Sequence, residues 1–494
     1  MLSHETSLKR AVPLVFVGAF LLRIFHLNLP ILEAYNNLTR QAVSAMIARN
    51  FYFHGFRFWY PELDQGAGPY LFNAEMPIGP FLTAILYGLS GGVHEWAARI
   101  VSVIFSMALI GFLYSLVKRI EGPRAALCTA VFAALSPLGL AFSRAVQPDM
   151  MMLAGSAGGV YFFYRYFEEK KIRHFVYSAL WTTLAVASKA YAFYMFLPLA
   201  VIAWSYRKGK MFRDGKNYVY VLAVCLTLIW YATMWYQGKI QSLYYDTIRY
   251  DRGIAYGTPF ELFSLPNIRL FLKIFFVHIL TPAGSLFFFV GLLAGIRKKE
   301  EWMFYAWFAA VMIFLLVTWR IVIRNPYYEL ALYPPAAVFV GRGAALSLDW
   351  KGGFLKRHRV LFGVALAAIV IPSVLYFYRG LYSLPPARQA IPVAGQAVQR
   401  VTDKKDLIIA SYEGGPALLY YCDRKGWELD LSGAGEEPIQ KLERLRKQAA
   451  TTFVTTKKNL ASAAPLFESY LRSRYTVLEE DRDHVIFSLK GGPA

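Results

Sequence analysis

Cysteine is scarce in this chain: three occur in 494 residues. Cys128 and Cys225 lie inside apolar runs and Cys422 stands alone, so no disulfide framework is legible. Metal-ligand spacings, a phosphate-cradling glycine loop and a nucleophile elbow are also missing. Neither internal repeats nor low-complexity segments occur. Acidic residues are outnumbered, with 32 Asp and Glu against 53 Lys and Arg, for a net charge of +21. That excess does not point to nucleic acid here. The chain is 56% hydrophobic, and basic residues of a membrane protein collect first in its cytoplasmic loops. The pair Lys9-Arg10 precedes a long apolar run that no small-residue cleavage site follows, which reads as a retained signal anchor.

Apolar runs of spanning length fill the first three quarters. A bilayer core needs about 20 apolar residues as helix. Spans are expected near 11–28, 97–117, 124–143, 150–167, 174–189, 190–206, 217–236, 280–296, 302–319, 328–347 and 360–378. Basic clusters at Lys9-Arg10, Lys118-Arg119-Arg124, Lys170-Lys171-Arg173, Arg207-Lys208-Lys210, Arg297-Lys298-Lys299 and Lys356-Arg357-Arg359 then fall on one side, the cytoplasm. Counting the short Phe81–Leu89 run as a span would invert every later loop, so it reads as a surface or re-entrant helix. The 266–279 run reads as a partly embedded lead-in. Beyond Pro385-Pro386 no segment is long enough to span. Strands at Asp406–Tyr412, Thr451–Thr456, Tyr475–Glu479 and His484–Leu489 alternate with helices at Pro416–Lys425 and Ile439–Gln448.

The expected fold is an all-α polytopic membrane domain at 1–380, with amphipathic outer-face helices. It has about eleven transmembrane helices, up to about thirteen if the short runs span. A small extracytoplasmic α/β domain follows at 381–494. The N-terminus is cytoplasmic and the 29–96 loop and tail lie outside, in a bacterial inner membrane.

The 29–96 loop concentrates ionisable and aromatic residues. Leu38, Ala42, Ala45 and Ala48 follow helical spacing, so Asn37–Phe51 is expected as a helix lying flat, with Arg40 and Arg49 open to phosphate or to lipid headgroups. Asp149, in SRAVQPDM, either faces the loop's carboxylates across a cleft or pairs with Arg144 at the surface and caps the next helix. Lys189 interrupts an apolar run. Intramembrane ionisable groups are functional by default, yet at an outer turn the lysine could snorkel. Arg324, Tyr327 and Tyr328, in WRIVIRNPYYELALYPP, suit a phosphate and a sugar ring, or an interfacial aromatic belt.

Four stretches, taken in order, carry a resemblance: TRQAVSAMIARNF, YPELDQGAGPYLFNAEMPIGPFLTAILYGLSG, AARIVSVIFS and LSPLGLAFSRAVQPDMMML. They resemble the C-type glycosyltransferase superfamily, in the branch of the protein O-mannosyltransferases and aminoarabinose lipid A transferases, over about residues 10–350. The resemblance implies inverting transfer of a sugar from a polyprenyl-phosphate donor to a protein hydroxyl, lipid A or glycan acceptor. It implies an acidic base in the first loop, a second acid at Asp149 that positions substrate, and basic residues that hold the leaving phosphate. The chain departs from the pattern at Val43, where relatives have aspartate, and at Met76, where aminoarabinose transferases have lysine. Asn36 and Asn37 stand where an aspartate is expected.

The expected catalytic residues are therefore Glu33, Asp64, Glu75 and Asp149, with the base open among Glu33, Asp64 and Glu75. Arg40, Arg144, Lys189, Arg324, Tyr327 and Tyr328 are the expected donor- and phosphate-binding residues. No cofactor is required, though gathered acids could bind a divalent cation on their own. A lipid-linked sugar flippase would instead place charges at mid-span and show an inverted repeat. A non-catalytic receptor would rely on the tail alone.

Overall fold

The structure is a computed structural model that describes residues 2–33, 38–72, 74–240, 264–349, 375, 380–433, 435–463 and 465–491. The expected 360–378 span, Asn36, Asn37 and most of the 237–268 loop lie outside the described residues, and Arg324 is described in its backbone alone. A helical bundle carries a small mixed sheet at the C-terminal end.

Among the described residues, three helices are long and apolar enough to cross a membrane: Glu95–Ile120, Gly215–Gln237 and Lys299–Val317. The pair Leu265–Ile279 and Thr281–Leu293, bent by 94° at its break, makes a fourth if counted as one span. The other described runs are helical but shorter, more polar or broken. Proline explains one break. Ser136 precedes Pro137 and is driven out of the helical region, to φ −54° and ψ 123°, so 124–143 becomes Pro123–Leu135 followed by Pro137–Phe142.

Four of the basic clusters gather at one end of the bundle. Arg119 pairs with Glu168 at 2.5 Å. Lys298 donates to Ile120 O at 2.5 Å, and Lys299 lies 4.3 Å from the centre of the Tyr206 ring. Arg207 donates to Tyr166 at 3.4 Å.

The first loop forms three pieces. Helix Leu38–Phe53 leads to a hairpin of β1 (Glu62–Leu63) and β2 (Tyr70–Leu71), and helix Ile78–Ser90 follows. The expectation of a helix lying flat is overturned. Every residue from Gln41 to Phe51 is buried. One face of the helix shares an apolar core with Tyr87 of the third piece, with Ala97 and Ala98 of the bundle and with Ile391, Leu418 and Ile408 of the tail. A helix covered on all sides cannot present Arg49 to lipid. Arg49 instead pairs with Asp64 at 2.5 Å and Asp423 at 3.1 Å, and donates to Tyr420 O at 2.9 Å.

The tail sheet has strands β3 (Leu407–Ser411), β4 (Gly426–Glu428), β5 (Ala450–Thr456), β6 (Thr476–Glu480) and β7 (His484–Ser488), in the order β4-β3-β5-β7-β6. β3 is parallel to β4 and β5, whereas β7 is antiparallel to β5 and β6. Successive side chains of a strand point to opposite faces. Ile408, Ala410, Val454 and Ile486 accordingly enter the core shared with the loop helix. Ile409, Phe453, Val485 and Phe487 enter a second core with Leu442, Phe467 and Leu471. Helix Pro386–Val401, which the periodicity did not disclose, covers the first face.

The loop also closes the edge of the sheet. Gly66 N donates to Gly426 O at 2.5 Å, and Gly426 N donates to Asp64 O at 3.0 Å. An open strand edge is a liability, and the hairpin removes it. Lys425–Glu62 at 2.5 Å and Gln65–Glu428 at 2.5 Å line the same seam.

Burial at this seam pushes the Glu428 carboxyl up from 4.5 to about 7, against a partial offset from the Gln65 hydrogen bond. The folded protein therefore binds this proton more tightly than the unfolded chain does. The stability that results is complete at low pH and is lost as pH rises through the folded value. The melting temperature should fall more between about pH 5 and about pH 7.5 in the wild type than in Glu428→Gln. Equal slopes would remove Glu428 from the energetics of the seam.

Candidate active site

Two antiparallel helices bring the central pair together. Asp149 opens helix Asp149–Glu169, directly after Pro148, and Lys189 follows the last residue of helix Ile172–Ser188. A carboxylate suits the positive end of a helix dipole and an ammonium the negative end, so each charge sits where its own helix favours it. The helices approach closely because Gly155, Gly158 and Gly159 face the second helix. A Cβ on Gly155 would lie 2.7 Å from Trp181 O, and one on Gly159 would lie 2.3 Å from Thr182 Oγ1.

Lys189 Nζ donates to Asp149 Oδ1 at 2.7 Å, and the two side chains are 7% and 1% exposed. Of the alternatives read from the sequence, the bland ones fail: Asp149 does not pair with Arg144 at the surface, and Lys189 turns inward to Asp149 instead of snorkelling. Asp149 Oδ2 is buried without a hydrogen-bond partner among the described residues. The ammonium also faces three aromatic rings, those of Tyr327 at 4.5 Å, Tyr328 at 5.5 Å and Tyr191 at 5.6 Å. Tyr327 and Tyr328 stack at 4.7 Å on a short 3-10 helix, and Tyr191 packs on Tyr328 at 5.2 Å.

The first loop supplies the other wall. Arg40 pairs with Glu75 and lies 5.2 Å from the centre of the Phe72 ring. Met76 N donates to Ala187 O at 3.1 Å, and Tyr231 donates to Val186 O at 2.7 Å, so the Glu75 segment is tied to the turn that carries Lys189. Arg40 and Asp149 both act electrostatically on Tyr327, and they act with Glu75 on Tyr328.

The structure thus gathers Arg40, Glu75, Asp149, Lys189, Tyr327 and Tyr328 around one point. It places the other expected residues elsewhere. Glu33 is fully buried against Arg99, which also donates to Leu29 O at 2.8 Å and Pro30 O at 2.9 Å. Arg144 donates to Phe25 O and His26 O and lies 4.6 Å from the centre of the Tyr382 ring. Asp64 is held by Arg49 and Asn50 at the tail seam. These three complete buried charge and backbone networks. Tyr191, Tyr231 and Phe72 join the site without having been singled out. Their only signal was aromatic density beside ionisable residues, which core packing also produces. Among the described residues, no group of three His, Cys, Asp or Glu gathers to hold a metal ion.

The fold is shared with ArnT and with an archaeal oligosaccharyltransferase. ArnT from Cupriavidus metallidurans in its apo state superposes with a TM-score of 0.63 at 16% identity, covering 98% of this chain and 100% of that one. ArnT bound to undecaprenyl phosphate gives 0.62 at 14% identity, covering 98% and 99%. The archaeal oligosaccharyltransferase AglB from Archaeoglobus fulgidus, in complex with an inhibitory peptide and a dolichol-phosphate, gives 0.59 at 13%, covering 90% and 69%. Within this fold, residues 74–235 match the family of dolichyl-phosphate-mannose-protein mannosyltransferases. The resemblance to C-type glycosyltransferases is borne out. No curated protein matches the chain.

Removing one partner of a buried pair strands the other charge, at a cost of about 3–5 kcal/mol. Lys189→Met should lower stability by that amount in thermal or denaturant unfolding. Asp149→Leu combined with Lys189→Met should recover much of the loss, because no charge is left unpaired. A double variant as unstable as the single one would mean that the pair is not the source of the effect.

Proposed function

We propose that this protein transfers a sugar from a polyprenyl-phosphate donor to a hydroxyl-bearing acceptor at the membrane surface, inverting the anomeric centre. The observation that carries the reading is the buried Asp149–Lys189 pair, ringed by three tyrosines and adjoined by Arg40 and Glu75. In this reading the chain spans the membrane about eleven times. The end that gathers basic residues faces the cytoplasm, and the site, loop and tail lie outside.

The chemistry needs two things. As the bond from the anomeric carbon to the phosphate oxygen breaks, negative charge grows on the phosphate. Lys189 and Arg40 supply fixed cations there, in surroundings stripped of water where they act strongly. As the acceptor oxygen bonds to that carbon, its proton must leave. Glu75, the more open carboxylate of the site, takes the proton. Asp149 acts through Lys189: it holds the ammonium in place and keeps it compatible with burial. The tyrosine rings offer hydroxyls and faces to the sugar. The acceptor is a protein hydroxyl, lipid A or another glycan.

The reading is tested by incubating the folded protein with polyprenyl-phosphate sugars and candidate acceptors and measuring released polyprenyl phosphate. Glu75→Gln should lower kcat by about a hundred- to ten-thousandfold while donor binding persists. Asp149→Asn should weaken donor binding as well. Absence of turnover with every donor, or full activity in Glu75→Gln, would contradict the proposal.

A further inference from the structure

At the opposite end of the bundle from Asp149 lies an apolar cavity of about 230 Å³. Its walls include Phe163, Phe196, Leu199, Met211, Tyr218 and Val221. Phe163 belongs to the helix that begins at Asp149, about 21 Å farther along its axis. A single water needs only about 10–15 Å³ of such space and two or more polar partners. This wall is almost wholly apolar, and its one amide, Asn217, is committed to Met211 O at 2.9 Å. Water is therefore a poor occupant and a hydrocarbon chain a good one. The cavity opens sideways, since Tyr218 is 61% and Val221 43% exposed on the face that a bilayer would cover.

Its rim is strongly basic. Arg207, Lys208, Lys210, Arg213 and Lys216 occur within ten residues, and the only carboxylate among them, Asp214, is taken by Arg207 and by the backbone of Lys216. Lys208, Lys210, Arg213 and Lys216 are exposed. Met211 and Phe212 of the same short turn line the cavity, so cations and apolar wall come from one stretch of chain. The nearby acid Glu169 is occupied by Arg165 at 2.5 Å and by His174 at 3.0 Å.

We infer that this is a binding site for an anionic phospholipid, with one acyl chain in the cavity and the headgroup phosphate on the Lys208–Lys216 rim. Basic pockets between membrane helices suit anionic headgroups, and the apolar chamber beneath adds a chain-sized anchor. The inference requires only that the bundle sits in a bilayer, and it stands apart from the sugar-transfer site.

The test uses the full-length protein in nanodiscs containing phosphatidylglycerol or phosphatidylcholine, with retained lipid counted by native mass spectrometry after transfer to detergent. The wild type should retain phosphatidylglycerol and release phosphatidylcholine. The exposed-residue variant Lys208→Gln/Lys210→Gln/Arg213→Gln should lose that preference by at least about tenfold, since each juxtamembrane cation contributes separately. Ala200 also lines the chamber, and Ala200→Trp, which fills it, should lose retention of phosphatidylglycerol. Equal retention of the two lipids by the wild type would overturn the inference. So would an unchanged preference in the triple variant, or displacement of phosphatidylglycerol by equimolar polyprenyl phosphate.

Discussion

A charge taken out of water must find a partner, and the Asp149–Lys189 pair is where this constraint shapes the protein most. The two residues lie forty positions apart and both are almost wholly buried. They meet only because their helices run antiparallel at a spacing that Gly155, Gly158 and Gly159 permit. The opposed helix ends then stabilise both charges at no cost in extra side chains. Tyr191, Tyr327 and Tyr328 close around the lysine. The result is a fixed cation in a pocket of low polarity, which is what a developing phosphate charge requires.

The same constraint explains the first loop. Its helix is not a surface element but a slab between bundle and tail, buried along Gln41–Phe51. Arg49 inside that slab needs Asp64, Asp423 and the Tyr420 carbonyl. Through these bonds and the Gly66–Gly426 bridge, the tail sheet fixes the loop, and the loop fixes Arg40 and Glu75 against Lys189. The tail module is thus part of the site's scaffold.

Some of this was legible in the sequence. Asp149, Lys189, Tyr327 and Tyr328 stood out because ionisable and aromatic residues punctuate long apolar runs. Strands β3, β5, β6 and β7 were visible as short apolar stretches, each found within a residue or two. Partner choice was not visible. Glu33 has the residue type of a base and Arg144 that of a phosphate ligand, yet they meet Arg99 and the Phe25–His26 carbonyls, a consequence of tertiary packing that no local pattern encodes. β4, with three residues, and the hairpin, with two per strand, are too short to display a period. The loop helix misled because burial on every side leaves no single apolar stripe to distinguish it from an interfacial helix.

The central claim is that Lys189, held by Asp149, and Arg40, held by Glu75, together form the seat of a lipid phosphate. The most direct measurement is a structure determined with bound polyprenyl phosphate. The account predicts phosphate oxygens within hydrogen-bonding distance of Lys189 Nζ and of the Arg40 guanidinium, beside the Tyr327–Tyr328 stack. A phosphate seated elsewhere, with both pairs intact and out of its reach, would contradict it.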